Sequence, residues 1–229
     1  SGTADAGTVD ELEIAGVETL TINVASSDTD VLAATITEID ATATTSLTLT
    51  GEENLVISGF DGADTNTVDA TAVTGTVTLT AGADDQTLKG SDTAATTFVM
   101  GTNLNNDDAI EGGAATTDSL TATVNGLTAT TGALSISGVE TIELDTATAA
   151  STIDASGIVG ASTIAVGSAQ NVTITGLAAG TDLQLGVTGS ADYAGDLTVS
   201  LADATGAADN LTVSLVERGS DTALNGSSI

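Results

Sequence analysis

Histidine, cysteine and proline are absent from this 229-residue chain, and aromatic residues make up only 1% of it. Without histidine and cysteine the chain has no Ser-His-Asp or Cys-His set, no zinc-thiolate site and no disulfide. Paired carboxylates can cleave glycosides. Sugar clefts, however, ordinarily also use aromatic platforms and arginine, which are almost missing here. We therefore expect a protein that is not an enzyme.

Basic residues are almost absent as well. Lys89 and Arg218 stand against 32 acidic residues, which leaves a formal net charge of −30. Nucleic acid is excluded as a partner because phosphate contacts need lysine and arginine, and an anionic membrane surface is disfavoured for the same reason. No run of apolar residues is long enough for direct membrane insertion. Self-repulsion destabilises such a chain unless cations neutralise it, although a solvated acidic surface or adaptation to high salt remains an alternative explanation.

Short alternating segments dominate what is present. Thr-Val, Thr-Ile and Thr-Leu alternation, as in Leu20–Val24, Leu47–Thr50 and Thr76–Thr80, favours β-strands, because β-branched residues fit a pleated surface. Strand centres lie about 11 residues apart, and two strands per turn of about 20 residues indicate a β-solenoid. The predicted fold class is all-β, a parallel β-solenoid or β-roll. Tandem Ig-like β-sandwiches are the alternative, disfavoured by the lack of core aromatics.

A longer internal repeat divides the chain into two related blocks. Gly16–Leu20 (GVETL) recurs as Gly138–Ile142 (GVETI), and Asp118–Val124 recurs as Asp209–Leu215 in the same order. We expect residues 1–124 to form a first β-repeat block with the turns richest in glycine and aspartate. Residues 125–229 would form a second related block, continuous with the first.

Three clusters of acidic and amide residues in predicted turns are candidate calcium sites. Carboxylates and turn carbonyls supply the hard oxygens that Ca2+ prefers, although aspartate and glycine are also ordinary turn formers. If turns stack one rung apart, side chains from neighbouring turns can share one ion. The candidate ligands are Asp84, Asp85 and Asp92; Asp61, Asp64 and Asp69; and Asn105, Asp107, Asp108 and Asp118.

The stretch from Ala81 to Gly101 resembles the Gly/Asp-rich nonapeptide repeats of RTX proteins. Gly82, Asp84, Asp85, Leu88, Gly90 and Asp92 match that pattern, whereas Lys89, Ala83 and Ser91 depart from it. The segment Thr97–Gly101 is similar to the aromatic strand that often closes such an array. The resemblance implies a calcium-binding parallel β-roll.

Most of the remaining chain looks like the repeat regions of type I-secreted bacterial surface-layer proteins and large adhesins. Its Gly-Val-Glu-Thr strands, the turn at Ile153–Ser156 and the strands after Asp118 and Asp209 carry this likeness. It implies a calcium-dependent, self-associating structural protein on the bacterial cell surface, exported by a type I route, with cell-surface polysaccharide as a further partner. The alternative is an adhesin module that binds a glycan, ice or another surface.

Overall fold

Parallel β-strands build the whole fold in the computed structural model, which describes residues 7–25, 33–63, 65–127, 132–146, 148–167, 170–186, 193, 195–205 and 209–216. In this part of the chain all regular structure is strand, and no helix is available that could cross a membrane. The strands, in chain order, are β1 (Thr8–Val9), β2 (Leu12–Glu13), β3 (Thr19–Val24), β4 (Ala33–Ile36), β5 (Ile39–Asp40), β6 (Ser46–Gly51), β7 (Asn54–Ile57), β8 (Phe60–Asp61), β9 (Thr65–Val73), β10 (Val77–Thr80), β11 (Asp85–Lys89), β12 (Thr96–Gly101), β13 (Ala109–Glu111), β14 (Ser119–Thr123), β15 (Ser135–Ser137), β16 (Thr141–Asp145), β17 (Ser151–Asp154), β18 (Ile158–Val159), β19 (Thr163–Gly167), β20 (Val172–Leu177), β21 (Asp182–Leu185), β22 (Leu197–Leu201) and β23 (Thr212–Leu215).

Two long parallel sheets wind around a common core. The ten-stranded sheet has the order β1-β4-β7-β10-β12-β14-β16-β19-β21-β23, and the seven-stranded sheet has the order β18-β15-β13-β11-β9-β6-β3. Because successive strands alternate between the two sheets, each turn contributes one strand to each of them over most of the coil. The predicted parallel β-solenoid is confirmed, with about seven turns. The alternative sandwiches are wrong, since those are built from antiparallel sheets.

Short third sheets widen the coil towards both ends. Strands β2, β5 and β8 form one of them, and β17, β20 and β22 form the other. Strands β2, β5, β8 and β17 lie on the path from the ten-stranded to the seven-stranded sheet, whereas β20 and β22 each lie between two strands of the ten-stranded sheet. In the middle turns, from β10 to β11 and from β12 to β13, this path is a turn instead of a strand.

Alternation of side chains creates the core, as the sequence pattern predicts. In β6, Leu47 and Leu49 are fully buried while Thr48 and Thr50 face outward. Phe98 is 0% exposed and stands in register between Leu79 and Leu120 of the neighbouring turns. Inward-facing residues of both long sheets belong to a single hydrophobic cluster, so the core is one continuous column along the coil axis.

The turn length is close to constant in the middle of the coil. Thr97, Ser119, Thr141 and Thr163 lie in register, a step of 22 residues each time. The step from Leu20 to Leu47 is longer, at 27 residues. The ten-stranded sheet passes through the boundary of the two sequence blocks, because β14 pairs with β16. The division into blocks stays a prediction.

Candidate metal centre

Seven of the ten predicted metal ligands lie on two edges of the coil. The path from the ten-stranded to the seven-stranded sheet is called the first edge, and it contains residues 37–45, 58–63, 81–84 and 102–108. The second edge is the return path and contains residues 52–53, 74–76, 90–95, 112–118 and 138–140. The two edges are separated by a strand, so side chains on opposite edges do not share an ion.

A groove on the first edge brings two predicted ligands together. Asp61 and Asp84 line it with Glu38, which the sequence analysis missed. Glu38 follows β4, Asp61 is the last residue of β8 and Asp84 follows β10, on successive turns. The groove has a volume of about 290 Å3. Its walls also include Phe60 and Gly82. Asp64, predicted to join Asp61, lies outside the described residues.

The groove is open and acidic. Among the described residues no three acidic side chains lie close enough together to hold one metal ion. Carboxylates spread over three turns create a negative potential that attracts cations to the surface without enclosing them. The assignment of Asp61 and Asp84 to calcium stays a prediction.

Beside the groove, a buried polar ladder joins three turns. Asn66, Gln86 and Asp108 are 2%, 2% and 3% exposed. The Gln86 amide donates from Nε2 to Asn66 Oδ1 (3.2 Å) and accepts at Oε1 from the Gly82 N–H (2.9 Å). The Gln86 backbone N–H donates to Asp108 Oδ1 (2.9 Å). Side chains thus replace sheet hydrogen bonds where the chain turns.

Asp108 has both carboxylate oxygens occupied by backbone donors. Its Oδ2 accepts from the Asn105 N–H (2.9 Å), and Asn105 Oδ1 accepts in turn from the Asp107 N–H (2.7 Å). Burial raises the pKa of Asp108, the two backbone hydrogen bonds lower it, and the charges of Asp85 and Asp107 raise it further. In this turn, predicted as a calcium loop, both Asp108 carboxylate oxygens are therefore already paired with backbone N–H groups. The assignment of Asn105, Asp107 and Asp108 to calcium stays a prediction.

Asp69 lies on the outer face of the seven-stranded sheet, away from both edges. Its Oδ1 accepts from the Thr71 N–H (3.0 Å) and hydroxyl (2.6 Å). In register, Lys89 stands between Asp69 and Glu111, and its Nζ lies 3.1 Å from Glu111 Oε2. An ammonium group on the strand that pairs with Asp69 competes with a metal ion for that carboxylate.

Asp92 does not join Asp84 and Asp85. Asp84 and Asp85 lie at the start of β11, whereas the exposed Asp92 follows its end on the second edge. A five-residue strand separates them by about 17 Å at roughly 3.3 Å per residue. The aspartates of the stretch Ala81–Gly101, which resembles RTX repeats, therefore lie at opposite ends of β11 and not together.

On the second edge, Asp118 forms a pair with Glu140. Asp118 is 1% exposed, and its Oδ1 accepts from the Thr96 N–H at 2.6 Å. Its own N–H donates to Glu140 Oε2 (2.8 Å), while its Oδ2 is buried without a hydrogen-bond partner. Burial, with a smaller contribution from the Glu140 charge, raises the pKa of Asp118 to about 6 against the opposing Thr96 hydrogen bond.

Glu140 was not among the predicted ligands. The signal that would have found it is its position 22 residues after Asp118, one full turn along the coil, directly before the next strand of the same sheet.

Comparisons with known proteins add no relative: no family model, no curated protein and no solved structure matches the chain.

Proposed function

We propose that this chain is a structural, self-associating repeat protein of a bacterial cell surface, stabilised by calcium and building a surface layer, matrix or filament. The observation that carries this proposal is the acidic groove of Glu38, Asp61 and Asp84 on successive turns of a parallel coil. A coil of this kind repeats its edges along its length, so it offers cations a row of sites instead of one.

Charge supplies the physical reason for calcium. With a net charge of −30, copies of the chain repel one another and themselves. A divalent cation between carboxylates lowers both repulsions, and any ion that binds only the folded state also stabilises it. On the first edge Asp61 and Asp84 are the favoured ligands, with Glu38 added to them.

Location and export follow from the resemblance alone. RTX-like turns, the absence of cysteine and the scarcity of basic residues suit a type I-exported surface-layer protein. Cell-surface polysaccharide is the further partner that this resemblance suggests.

A second candidate function is a surface-binding module of an adhesin. The outer face of the ten-stranded sheet carries a column of hydroxyl residues in register: Thr78, Thr97, Ser119, Thr141 and Thr163. Their spacing is about 4.8 Å, the distance between paired strands. A regular row of hydroxyl and methyl groups suits a repetitive target such as a glycan or ice.

Calcium titration of the purified full chain tests the first function. We expect light scattering to rise with calcium, electron micrographs to show sheets or filaments, and chelator to reverse both. The triple variant Glu38→Gln, Asp61→Asn, Asp84→Asn should need several-fold more calcium. A matched variant, Asp10→Asn, Glu11→Gln, Glu52→Gln, removes the same charge from exposed positions outside the groove and should behave like the wild type.

A folded monomer that never assembles at any calcium concentration would contradict this function. Binding to polysaccharide, or a thermal hysteresis in freezing solution, by such a monomer would favour the adhesin module instead.

A further inference from the structure

The buried Oδ2 atom of Asp118 is the feature of the second edge that hydrogen bonding leaves unexplained. Asp118 is 1% exposed, and while Oδ1 is paired with the Thr96 N–H, no group of the protein donates to Oδ2. A buried oxygen without a partner destabilises the fold, and more so when it is charged. A cation or a proton bound to Oδ2 would remove this destabilisation.

A column of side chains along the second edge places a second carboxylate, that of Glu140, at the Asp118 backbone N–H. Thr96, Asp118, Glu140 and Ser162 each directly precede or begin a strand of the ten-stranded sheet, one per turn. Threonine and serine occupy the outer members of the column, and two acids occupy adjacent turns at its centre. Two neighbouring carboxylates repel each other, so this pair is unfavourable without a cation.

Glycine forms the wall opposite Asp118. A Cβ added to Gly112 would lie 1.9 Å from the Gly138 carbonyl oxygen and 3.0 Å from Asp118 Oδ2. A Cβ on Gly90 would similarly meet the Gly112 carbonyl oxygen at 2.3 Å. The surroundings of Asp118 Oδ2 are therefore bare peptide backbone that includes a carbonyl oxygen, the second type of ligand that hard cations use.

We infer that Asp118 and Glu140 form a cation site of the second edge, which takes one hard divalent ion of the calcium class. Asp118 Oδ2 is the inner ligand, and Glu140 is the outer one. Glu140 is only partly buried, so its carboxylate is able to turn from the Asp118 N–H towards an ion. Backbone oxygens of the glycine wall and water complete the ligand shell.

This inference rests on the calcium part of the proposed function and moves it to a specific place. The first edge offers an open groove on three turns, whereas Asp118 and Glu140 offer a pair with one buried oxygen that has no other partner. Ion binding here clamps two neighbouring turns, because the two ligands belong to the turns before β14 and β16.

Ion counting on the full chain tests the site. Wild type, Asp118→Asn, Glu140→Gln and the control Glu52→Gln, an exposed acid on the same edge, are dialysed against CaCl2 at pH 7.5 and analysed for bound metal. We expect each of the first two variants to bind one ion fewer than the wild type, and the control to bind the same number. In calorimetry the affinity lost should be at least tenfold, since even an outer-shell partner is worth about 10–100-fold.

Thermal melting with and without calcium supplies the second readout. Calcium should raise the melting temperature of the wild type more than that of Glu140→Gln. This variant keeps the buried Asp118 and is expected to fold even if Asp118→Asn does not, which far-ultraviolet circular dichroism checks.

Each outcome separates this site from the proposed function. If wild type binds calcium and assembles while Glu140→Gln binds as many ions, the site is wrong and the function stands. If Glu140→Gln loses one ion but calcium never induces assembly, the site stands and the function fails. If the wild type binds no calcium and its melting temperature is the same with and without calcium, Asp118 Oδ2 is satisfied by a proton, and the inference is overturned.

Discussion

The two edges of the coil carry aspartate and glutamate that differ in burial and in hydrogen bonding. On the first edge, Glu38, Asp61 and Asp84 line an open groove, and Asp108 has both oxygens paired with backbone N–H groups. On the second edge, Asp118 is buried with one oxygen unpaired and a glutamate beside it. Charge density alone therefore does not identify a cation site. Burial and pairing decide whether an acid adjusts the surface potential or the stability of the fold.

The largest expected effect concerns the backbone packing of the second edge. Gly112→Ala would place a Cβ 1.9 Å from the Gly138 carbonyl oxygen, which belongs to the backbone and does not rotate away. We expect a loss of about 3 kcal/mol or more in the free energy of unfolding, measured by urea denaturation. Gly59→Ala on the first edge, whose Cβ would be 3.4 Å from its nearest neighbour, is the control and should change little. Equal stability of the two variants would refute the difference in packing.

The second prediction uses pH to compare the two edges. Because the pKa of Asp118 is raised to about 6 in the folded state, the native chain holds this proton more tightly than the unfolded chain. The stability that this proton contributes is therefore fully present below about pH 4 and is lost as the pH rises to above 6. At about 1.4 kcal/mol per pKa unit the loss is up to roughly 3 kcal/mol.

Asp118→Asn should remove this part of the pH dependence of stability when chelator is present. Melting temperatures between pH 4 and pH 8 check the slope, which is independent of any constant cost of the new amide. Glu52→Gln should keep the wild-type slope. A slope unchanged by Asp118→Asn would show that Asp118 titrates normally and that the contrast between the edges is wrong.

A third prediction concerns the polar ladder of the first edge. Gln86→Met keeps the size of the side chain but leaves the Gly82 N–H and Asn66 Oδ1 without their Gln86 partners. We expect a loss of about 1–3 kcal/mol, measured by urea denaturation. Thr87→Val, at the neighbouring outward position, should stay within about 0.5 kcal/mol of the wild type. If Gln86→Met is neutral, the ladder is not what orders these turns.

The smallest effect is expected away from both edges. Lys89→Met removes the ammonium between Asp69 and Glu111, and both members of its ion pair with Glu111 are substantially exposed. We expect a loss below about 1 kcal/mol in low salt, which disappears in 1 M NaCl. Glu111→Gln should give a loss of similar size. A loss that persists in high salt would show that the Lys89 stem matters through packing instead of charge.

Strand identity was largely predictable because it depends on neighbours in sequence. The alternation of Leu47, Thr48, Leu49 and Thr50 by itself places leucine inside and threonine outside. The short sheet of β2, β5 and β8 was not predicted, since strands such as β5 and β8 contain only two residues and show no alternation.

The internal repeat predicts a local turn and strand but not the sheet to which that strand belongs. Gly16 and Gly138 open the same five-residue motif and share a positive φ, 71° and 65°. The strand after Gly16 is β3 of the seven-stranded sheet, while the strand after Gly138 is β16 of the ten-stranded sheet. The motif therefore describes a local turn followed by a strand, and either sheet accepts it.

The sequence by itself determined the parallel coil, the side of each strand that faces the core, and the strongly negative charge. Only the tertiary structure decided which acids meet. Asp84 and Asp92 are close in sequence yet lie at opposite ends of β11, whereas Asp118 and Glu140 lie on adjacent turns. The physical reason is that neighbours across turns depend on the residue count of each turn, which varies from 30 between Asp182 and Thr212 to 19 between Val77 and Thr96. That count is set by packing of the whole coil and not by any one stretch of chain.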